Sequence, residues 1–141
     1  MLHYEHVIRF SDCDGLGHVN NAVYFTMMEE ARREVFAWFN PSLSLDSWNL
    51  IVASARCDFL AQMTYGETIH VYTWVGKLGN SSFVLEHALQ SANQIWVARG
   101  QATLLHYDYS KKAAMRIPED VRRHLQEHLD APIDAPSLHE S

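Results

Sequence analysis

The segment at residues 10–24 concentrates the side chains of this chain that are best suited to chemistry. Seven of its fifteen residues are acids, a histidine, asparagines or glycines: Asp12, Asp14, Gly15, Gly17, His18, Asn20 and Asn21. Carboxylate, imidazole and amide groups held together in a turn can bind a water, a carbonyl oxygen or an anion. Helix capping accounts for one or two such residues, because a cap uses one side chain to satisfy free backbone N–H groups. Seven such residues in fifteen positions are more than capping requires, and they therefore predict a functional loop.

The elements on either side place this loop between a strand and a helix. Residues 4–11 alternate loosely between apolar and polar side chains, which predicts a first strand. From Asn21 to about Phe39 apolar residues recur at four-residue steps, which predicts one long helix with an apolar face. The helix is expected to end at Asn40, because the following Pro41 disfavours helical geometry in the residue before it.

The remainder of the chain is rich in β-branched and aromatic residues and predicts four further strands. They lie near residues 50–63, 67–76, 82–91 and 95–107. Pro118 opens a short amphipathic helix to about Leu129, and residues 131–141 are expected to form a flexible tail. The predicted fold class is α+β, with an antiparallel sheet of about five strands wrapped around one long central helix. Residues 1–130 form a single domain in this prediction.

Composition excludes several classes of function. The 141 residues carry a net charge of -6 and no dense run of Lys or Arg, which argues against nucleic-acid binding. No apolar stretch is long enough to span a bilayer, no signal peptide is recognisable, and a cytoplasmic location is expected. Two cysteines are too few for a disulfide framework. His124 and His128 lack a third ligand, so neither a metal nor another cofactor is expected.

The run Asp-Cys-Asp-Gly-Leu-Gly-His-Val-Asn-Asn-Ala-Val-Tyr-Phe at residues 12–25, with Met-Glu-Glu-Ala-Arg at 28–32, resembles a known family. It is similar to the opening of the hotdog-fold acyl-CoA thioesterases of the 4-hydroxybenzoyl-CoA thioesterase type. Segments 65–69 and 78–82 resemble strand starts of the same family. The resemblance covers about residues 4–125, and the family's hotdog fold agrees with the order of helix and strands predicted above. It implies hydrolysis of an acyl-CoA thioester to free acid and CoA without a cofactor.

Asp14 aligns with the catalytic carboxylate of that family. The resemblance implies that it acts either as a general base that activates water or as a nucleophile that attacks the thioester carbonyl. The backbone N–H groups at the start of the following helix, near Asn21, are expected to polarise the thioester oxygen. That expectation also has a physical basis, because helix N-terminal amides are free and the helix dipole favours negative charge.

The other polar residues of the loop keep two interpretations each. His18 matches the catalytic histidine of the plant acyl-carrier-protein thioesterases, and it is expected either to orient water or substrate or to be a hydrogen-bonded residue of the helix start. Asn20 is a candidate for substrate binding and Asn21 for catalysis, and one of the two is expected to cap the helix. Tyr24 is expected to line the acyl pocket or to fill the core. Asp12 is interpreted as a turn or cap residue.

Expectations about substrate and partners rest on the resemblance. Lys77, Ser81 and Ser82 correspond to positions at which relatives contact coenzyme A. An acyl-carrier-protein substrate, a hydratase or dehydratase activity and a non-catalytic acyl-CoA-binding module are the alternatives. Domains of this family pair into one continuous sheet, so a homodimer or homotetramer is expected, and an unpaired strand edge gives a physical reason for such pairing. No nucleic-acid or membrane partner is expected.

Overall fold

A computed structural model describes residues 1–140, which contain six strands and three α-helices. The strands are β1 (Leu2–Val7), β2 (Leu50–Phe59), β3 (Thr68–Leu78), β4 (Ser82–Ser91), β5 (Trp96–Asp108) and β6 (Ala113–Ala114). The helices are α1 (Asn21–Glu30), α2 (Arg33–Phe39) and α3 (Glu119–Gln126). Within residues 1–140, no helix has both the length and the apolar character needed to cross a membrane.

The strands form one antiparallel sheet in the order β1-β3-β4-β5-β2, and β6 pairs with the end of β5. Strands β1 and β2 are therefore the two edges. Two apolar clusters fill the space between the sheet and the helices: α1 contributes Met27 to the first, and α2 contributes Val35 to the second. The predicted α+β fold with an antiparallel sheet on a helical layer is confirmed.

The long helix predicted from Asn21 to about Phe39 is present as two consecutive segments, α1 and α2. At the break the Arg32 N–H donates to the Glu29 carbonyl at 3.1 Å, which is one residue closer than the partner in a regular α-helix. The side chain of Arg32 is the cause. Arg32 is only 3 % exposed, and its Nε donates to Nε2 of His87 on β4 at 3.1 Å. The helix is thus interrupted where a polar side chain reaches from the helical layer to the sheet between two apolar clusters.

Arg32 belongs to a buried chain of polar groups. Nδ1 of the fully buried His87 lies 2.8 Å from Oγ1 of Thr73 on β3. Burial first, and then the charges of Arg32 and Arg99, hold the pKa of His87 well below its ordinary value. His87 is therefore neutral, with Nε2 accepting from Arg32 and Nδ1–H donating to Thr73. Burial also lowers the pKa of Arg32 to about 10, so this guanidinium stays charged at neutral pH.

The low pKa of His87 makes the stability of the fold depend on pH. An unfolded imidazole titrates near pH 6.5, so below that pH the unfolded chain binds a proton that the folded chain does not, and the folded state loses stability. His87→Gln keeps a hydrogen-bonding side chain without a titrating group. We therefore expect its free energy of unfolding to fall less than that of the wild type between about pH 7.5 and about pH 5. Urea unfolding of both proteins at these two pH values measures the free energies. An equal decline in the two proteins would contradict the assignment.

The segment after α3 returns to the sheet. Nε of Arg99 on β5 donates to the carbonyl of Pro136 at 2.8 Å, and a further bond joins the segment to β2. These contacts fix its path in the structure, while the flexibility predicted for residues 131–141 stays a prediction. Ser141, the last residue of that range, lies outside the described residues.

Candidate active site

The loop between β1 and α1 is a small hairpin that sets Asp14 across from His18. A bridge pairs Cys13 with Val19, and inside it the Asp14 N–H donates to the His18 carbonyl at 2.8 Å. Gly17 closes the tip, where its N–H donates to the Asp14 carbonyl at 3.1 Å. Its φ of 82° lies in the left-handed region that favours glycine. Asp14 and His18, two of the three residues predicted to carry chemistry, are therefore neighbours across the hairpin.

Asp12 fixes the base of this loop. Its carboxylate, buried at 3 % exposure, accepts the Arg9 backbone N–H at 2.8 Å, the Arg9 guanidinium at 3.1 Å and His6 Nε2 at 2.9 Å. Its carbonyl accepts the Asn20 N–H at 3.0 Å. Burial alone would raise the pKa of Asp12, but these hydrogen bonds outweigh it and lower the pKa from 3.8 to about 2. The first strand ends earlier than predicted, since Phe10–Asp12 forms a 3-10 turn.

Asp12→Asn keeps the shape of this side chain and removes its charge. We expect it to destabilise the fold by about 2 kcal/mol at neutral pH, because hydrogen bonds to a charged group are lost. A carboxylate with a lowered pKa stabilises the folded state above about pH 4, and this contribution disappears as the pH falls toward about 2. The stability difference between the two proteins, measured by urea unfolding, should therefore shrink over that range. A difference that persists undiminished near pH 2 would show that charge is not its origin.

The start of α1 combines a capped and a free backbone amide. Oδ1 of Asn20 accepts the Ala22 N–H at 2.9 Å, which makes Asn20 the N-cap. The role of Asn20 in substrate binding stays a prediction, and its side-chain oxygen is already engaged in the helix cap. The Asn21 N–H has no acceptor within residues 1–140. This amide is therefore free at the positive end of the α1 dipole.

One cavity of about 380 Å³ brings the predicted loop residues together, since Asp14, His18, Asn21 and Tyr24 all line it. Oδ1 of Asp14 accepts the Leu16 N–H at 2.9 Å. Its other oxygen, Oδ2, has no partner within residues 1–140. The carboxylate is thus oriented by one bond and keeps a free oxygen for a proton or for a carbonyl carbon.

Tyr24 forms a wall of this cavity. Its hydroxyl donates to the Ala61 carbonyl at 3.1 Å, and its ring stands edge-on to Phe59 at a centroid distance of 4.8 Å. Burial raises the pKa of Tyr24, so the phenol is neutral at physiological pH. The side chain belongs to the core and also lines the cavity, and its role in binding an acyl group stays a prediction.

Sequence reasoning missed two residues of the opposite wall of the cavity. Leu60 and Gln62 line it from the segment that follows β2, next to Phe59 at the end of that strand. A bridge between His18 and Thr64 ties the hairpin to that segment. The Gln62 amide has no side-chain partner within residues 1–140, so it is available to hydrogen-bond a ligand. No local pattern signals these residues, because they reach the loop only through the folding of the sheet.

Comparison with known proteins assigns this fold and loop to one family. A family model described as the thioesterase-like superfamily matches residues 8–125. The chain belongs to this superfamily. The resemblance to hotdog-fold thioesterases, noted from the residues of the loop, is thereby confirmed.

Two proteins of known structure resemble this thioesterase-like chain in sequence and in fold, and a further relative resembles part of its sequence. A predicted thioesterase from Bacillus stearothermophilus is 30 % identical with a TM-score of 0.88, over 93 % of this chain and 98 % of that one. A thioesterase from Thermus thermophilus, solved with coenzyme A and Zn, is 30 % identical with a TM-score of 0.78, over 89 % and 97 % of the two chains. The uncharacterized protein YsmA of Bacillus subtilis is 34 % identical over 80 residues, 57 % of this chain and 54 % of that protein. The last match spans about half the length of that relative.

A single chain of this superfamily member does not bring every predicted substrate residue to Asp14. Lys77, Ser81 and Ser82 lie at the turn between β3 and β4. β3 begins at Thr68, beside the end of β1, and Lys77 lies about 30 Å farther along the strand. These three residues are therefore at the opposite end of the sheet from the candidate site, and their contact with coenzyme A stays a prediction.

The carboxylates of the helical layer do not belong to this site either. Glu29 and Glu30 form no ion pair within 4.0 Å in residues 1–140, although their spacing from Arg32 and Arg33 is typical of helix ion pairs. They line a second cavity of about 550 Å³, between the helices and the first residues of β2.

Three other residues with reactive side chains lie outside the candidate cavity of this superfamily member: Cys57, His124 and His128. Burial raises the pKa of the Cys57 thiol to about 12, which makes it a poor nucleophile. His124 and His128 pack on the Trp38 ring at centroid distances of 5.2 and 5.1 Å. Within residues 1–140, no three His, Cys, Asp or Glu side chains cluster so as to hold a metal ion.

Proposed function

We propose that this chain is an acyl-CoA thioesterase that hydrolyses the thioester to free acid and CoA. The observation that carries the proposal is the 380 Å³ cavity, which is lined by the Asp14 carboxylate, the His18 side chain and Asn21, whose N–H is free. Thioester hydrolysis needs a group that activates water or attacks the carbonyl, and a donor for the oxyanion. Asp14 supplies the first and the Asn21 N–H the second.

Two forms of the reaction use this arrangement. In the general-base form Asp14 removes a proton from water, the water oxygen bonds to the thioester carbon, the C–S bond breaks and the CoA thiolate leaves and is protonated. In the nucleophilic form the Asp14 carboxylate bonds to that carbon first, the thiolate leaves, and water hydrolyses the mixed anhydride. His18, across the hairpin from Asp14, orients the water or the substrate in both forms.

Coenzyme A is the carrier in this proposal. The 30 % identical thioesterase from Thermus thermophilus was solved with coenzyme A, which supports the same carrier here. An acyl carrier protein is acidic, and this chain carries a net charge of -6, so such a partner would need a local basic patch.

The functional unit in this proposal is a homodimer, or a tetramer of two such dimers, that forms through β2. This strand is an edge of the sheet, and its residues 51–56 are exposed. Ile51 and Val52 are apolar there at 36 % and 44 % exposure. A long edge with few charges exposes unpaired backbone groups that favour pairing with another strand. Antiparallel pairing of β2 with the same strand of a second copy is self-complementary and closes the assembly.

Asp14→Asn tests the assignment of the carboxylate. It keeps the size of the side chain but neither accepts a proton nor attacks a carbonyl, so we expect kcat to fall by about 10²- to 10⁴-fold with the fold intact. The measurement is thiol release from a panel of acyl-CoA esters.

Asp46→Asn, the same change on an exposed loop outside the candidate cavity, is the matched control and should keep wild-type turnover. Comparable turnover of Asp14→Asn and wild type would refute the role of Asp14. Failure of the wild type to hydrolyse any ester, together with tight binding of acyl-CoA, would favour the non-catalytic binding module.

The dimer is tested at the centre of β2. Ser54→Asp with Ala55→Asp places four carboxylates around the expected two-fold axis, and like charges on opposed strands disfavour pairing. We expect this variant to have the mass of a single chain by light scattering, while Ser54→Asn with Ala55→Asn keeps the mass of at least two chains. A wild type with the mass of one chain at micromolar concentration would exclude the proposed assembly.

A further inference from the structure

Two histidines of neighbouring strands meet on the face of the sheet that points away from the helices. In the pairing of β1 with β3, Glu5 lies opposite His70. His3 lies two residues before Glu5 on β1, opposite Tyr72. Side chains opposite each other in an antiparallel pair share one face, and Tyr4, between His3 and Glu5, packs against the core on the other face. His3, Glu5 and His70 therefore form one group on the outer face, at the β1 edge.

The two imidazole rings of this group face each other through nitrogen atoms. Nε2 of His3 lies 2.8 Å from Nδ1 of His70, and the two ring planes differ by 16°. At this distance one ring donates its N–H to the lone pair of the other. The second nitrogen of each ring has no hydrogen-bond partner within residues 1–140. Each ring can therefore carry its hydrogen on either nitrogen.

A change of tautomer turns this hydrogen-bonded pair into a chelate. A neutral imidazole has one N–H and one lone pair. When the shared hydrogen leaves the gap and the second nitrogen of the same ring takes one up, both rings stay neutral and two lone pairs face the gap between His3 and His70. Imidazole nitrogen is a preferred ligand of Zn²⁺, Ni²⁺ and Cu²⁺. The gap thus offers two ligand atoms to one such ion.

The spacing of the two nitrogens is close to that in a zinc site. Zn–N bonds of about 2.0–2.1 Å at a tetrahedral angle set two ligand nitrogens about 3.4 Å apart. Small side-chain rotations supply the change from 2.8 Å, because His3 is exposed and His70 is half-buried. The Tyr72 ring, with its centroid 5.2 Å from that of His3 and 6.5 Å from that of His70, limits larger rotations. The pair is therefore held near the geometry that a metal needs.

Glu5 places a negative charge beside the pair. Its Oε1 lies 3.6 Å from Nδ1 of His70, and within residues 1–140 no Lys or Arg forms an ion pair with it. A carboxylate at this distance favours a cation between the rings, and it can accept a hydrogen bond from water bound to that cation. Two protein ligands are fewer than a closed zinc site has, so water completes the coordination.

We propose that His3 and His70 bind one divalent transition metal ion of the class that prefers imidazole, such as Zn²⁺, between β1 and β3. The bound ion links β1 to β3, the strand that holds this edge of the sheet. Because the two ligands are brought together by the folded sheet, the ion binds the folded state and stabilises it. None of the three residues of the group lines the Asp14 cavity, so the site is structural and separate from the candidate active site.

Zn²⁺ alone is the probe for this site. Calorimetric titration of the metal-free protein should show one Zn²⁺ bound per chain. His70→Asn should bind it about 100-fold or more weakly, because one of two linked ligands is lost. The double variant His124→Asn with His128→Asn removes the histidine pair near the end of α3 and is the matched control, which should keep wild-type affinity. Equal affinity of wild type and His70→Asn, or no binding by the wild type, overturns the proposal.

Urea unfolding tests whether the ion binds the folded sheet. Zn²⁺ should raise the midpoint of the wild type and of the control variant, and it should leave that of His70→Asn unchanged. Measured without Zn²⁺, the midpoint of His70→Asn shows whether this variant folds. If it does not fold, His3→Asn, at an exposed position, replaces it with the same expected loss. An equal rise of the midpoint in all variants overturns the proposal. Neither measurement depends on thioester hydrolysis.

Discussion

The carboxylate of Asp12 is taken out of water in the 3-10 turn that follows β1, and it stays ionised there because Arg9 and His6 supply its hydrogen bonds. An unpaired buried charge is costly, so this requirement holds both partners in place. The carbonyl of the same residue binds the Asn20 N–H, which fixes where α1 begins. The end of a strand, a turn and the start of a helix are thus tied at one residue. The hairpin that carries Asp14 projects from that base, and its geometry depends on it.

The β-bulge in β2 is a second feature on which the arrangement of the two cavities depends. Without the extra residue between Val52 and Ser54, strict alternation would turn Phe59 to the outer face whenever Leu50 faces the helices. The Asp14 cavity would then lose the ring that packs against Tyr24. One inserted residue therefore lets a single strand contribute to both cavities while its outer edge stays free to pair.

The sequence predicts features that depend on residues close together in the chain, and it does not predict contacts that only the folded sheet creates. That Asp14, His18 and Asn21 lie close together was predictable because they belong to one short turn, and the strands were predictable because alternation and turn residues are local signals. Gln62 was not, because only the sheet brings it to the loop. Arg32 has the pattern of a surface helix residue, and its burial follows from the position of His87 on another strand. The continuous helix predicted for this stretch took no account of that burial.

Asp12 and Asp14 show how two like residues in one loop acquire opposite properties. In an extended chain, residues two apart point to the same side, and both carboxylates would meet the same surroundings. The 3-10 turn at Phe10–Asp12 breaks that relation and turns Asp12 inward, where several donors saturate it. Asp14 is left in the hairpin, exposed and bonded through one oxygen only. A carboxylate that reacts needs a free oxygen, whereas one that holds a turn needs none. The many polar residues of the loop are therefore divided between reaction and support, and the saturated carboxylate keeps the free one in position.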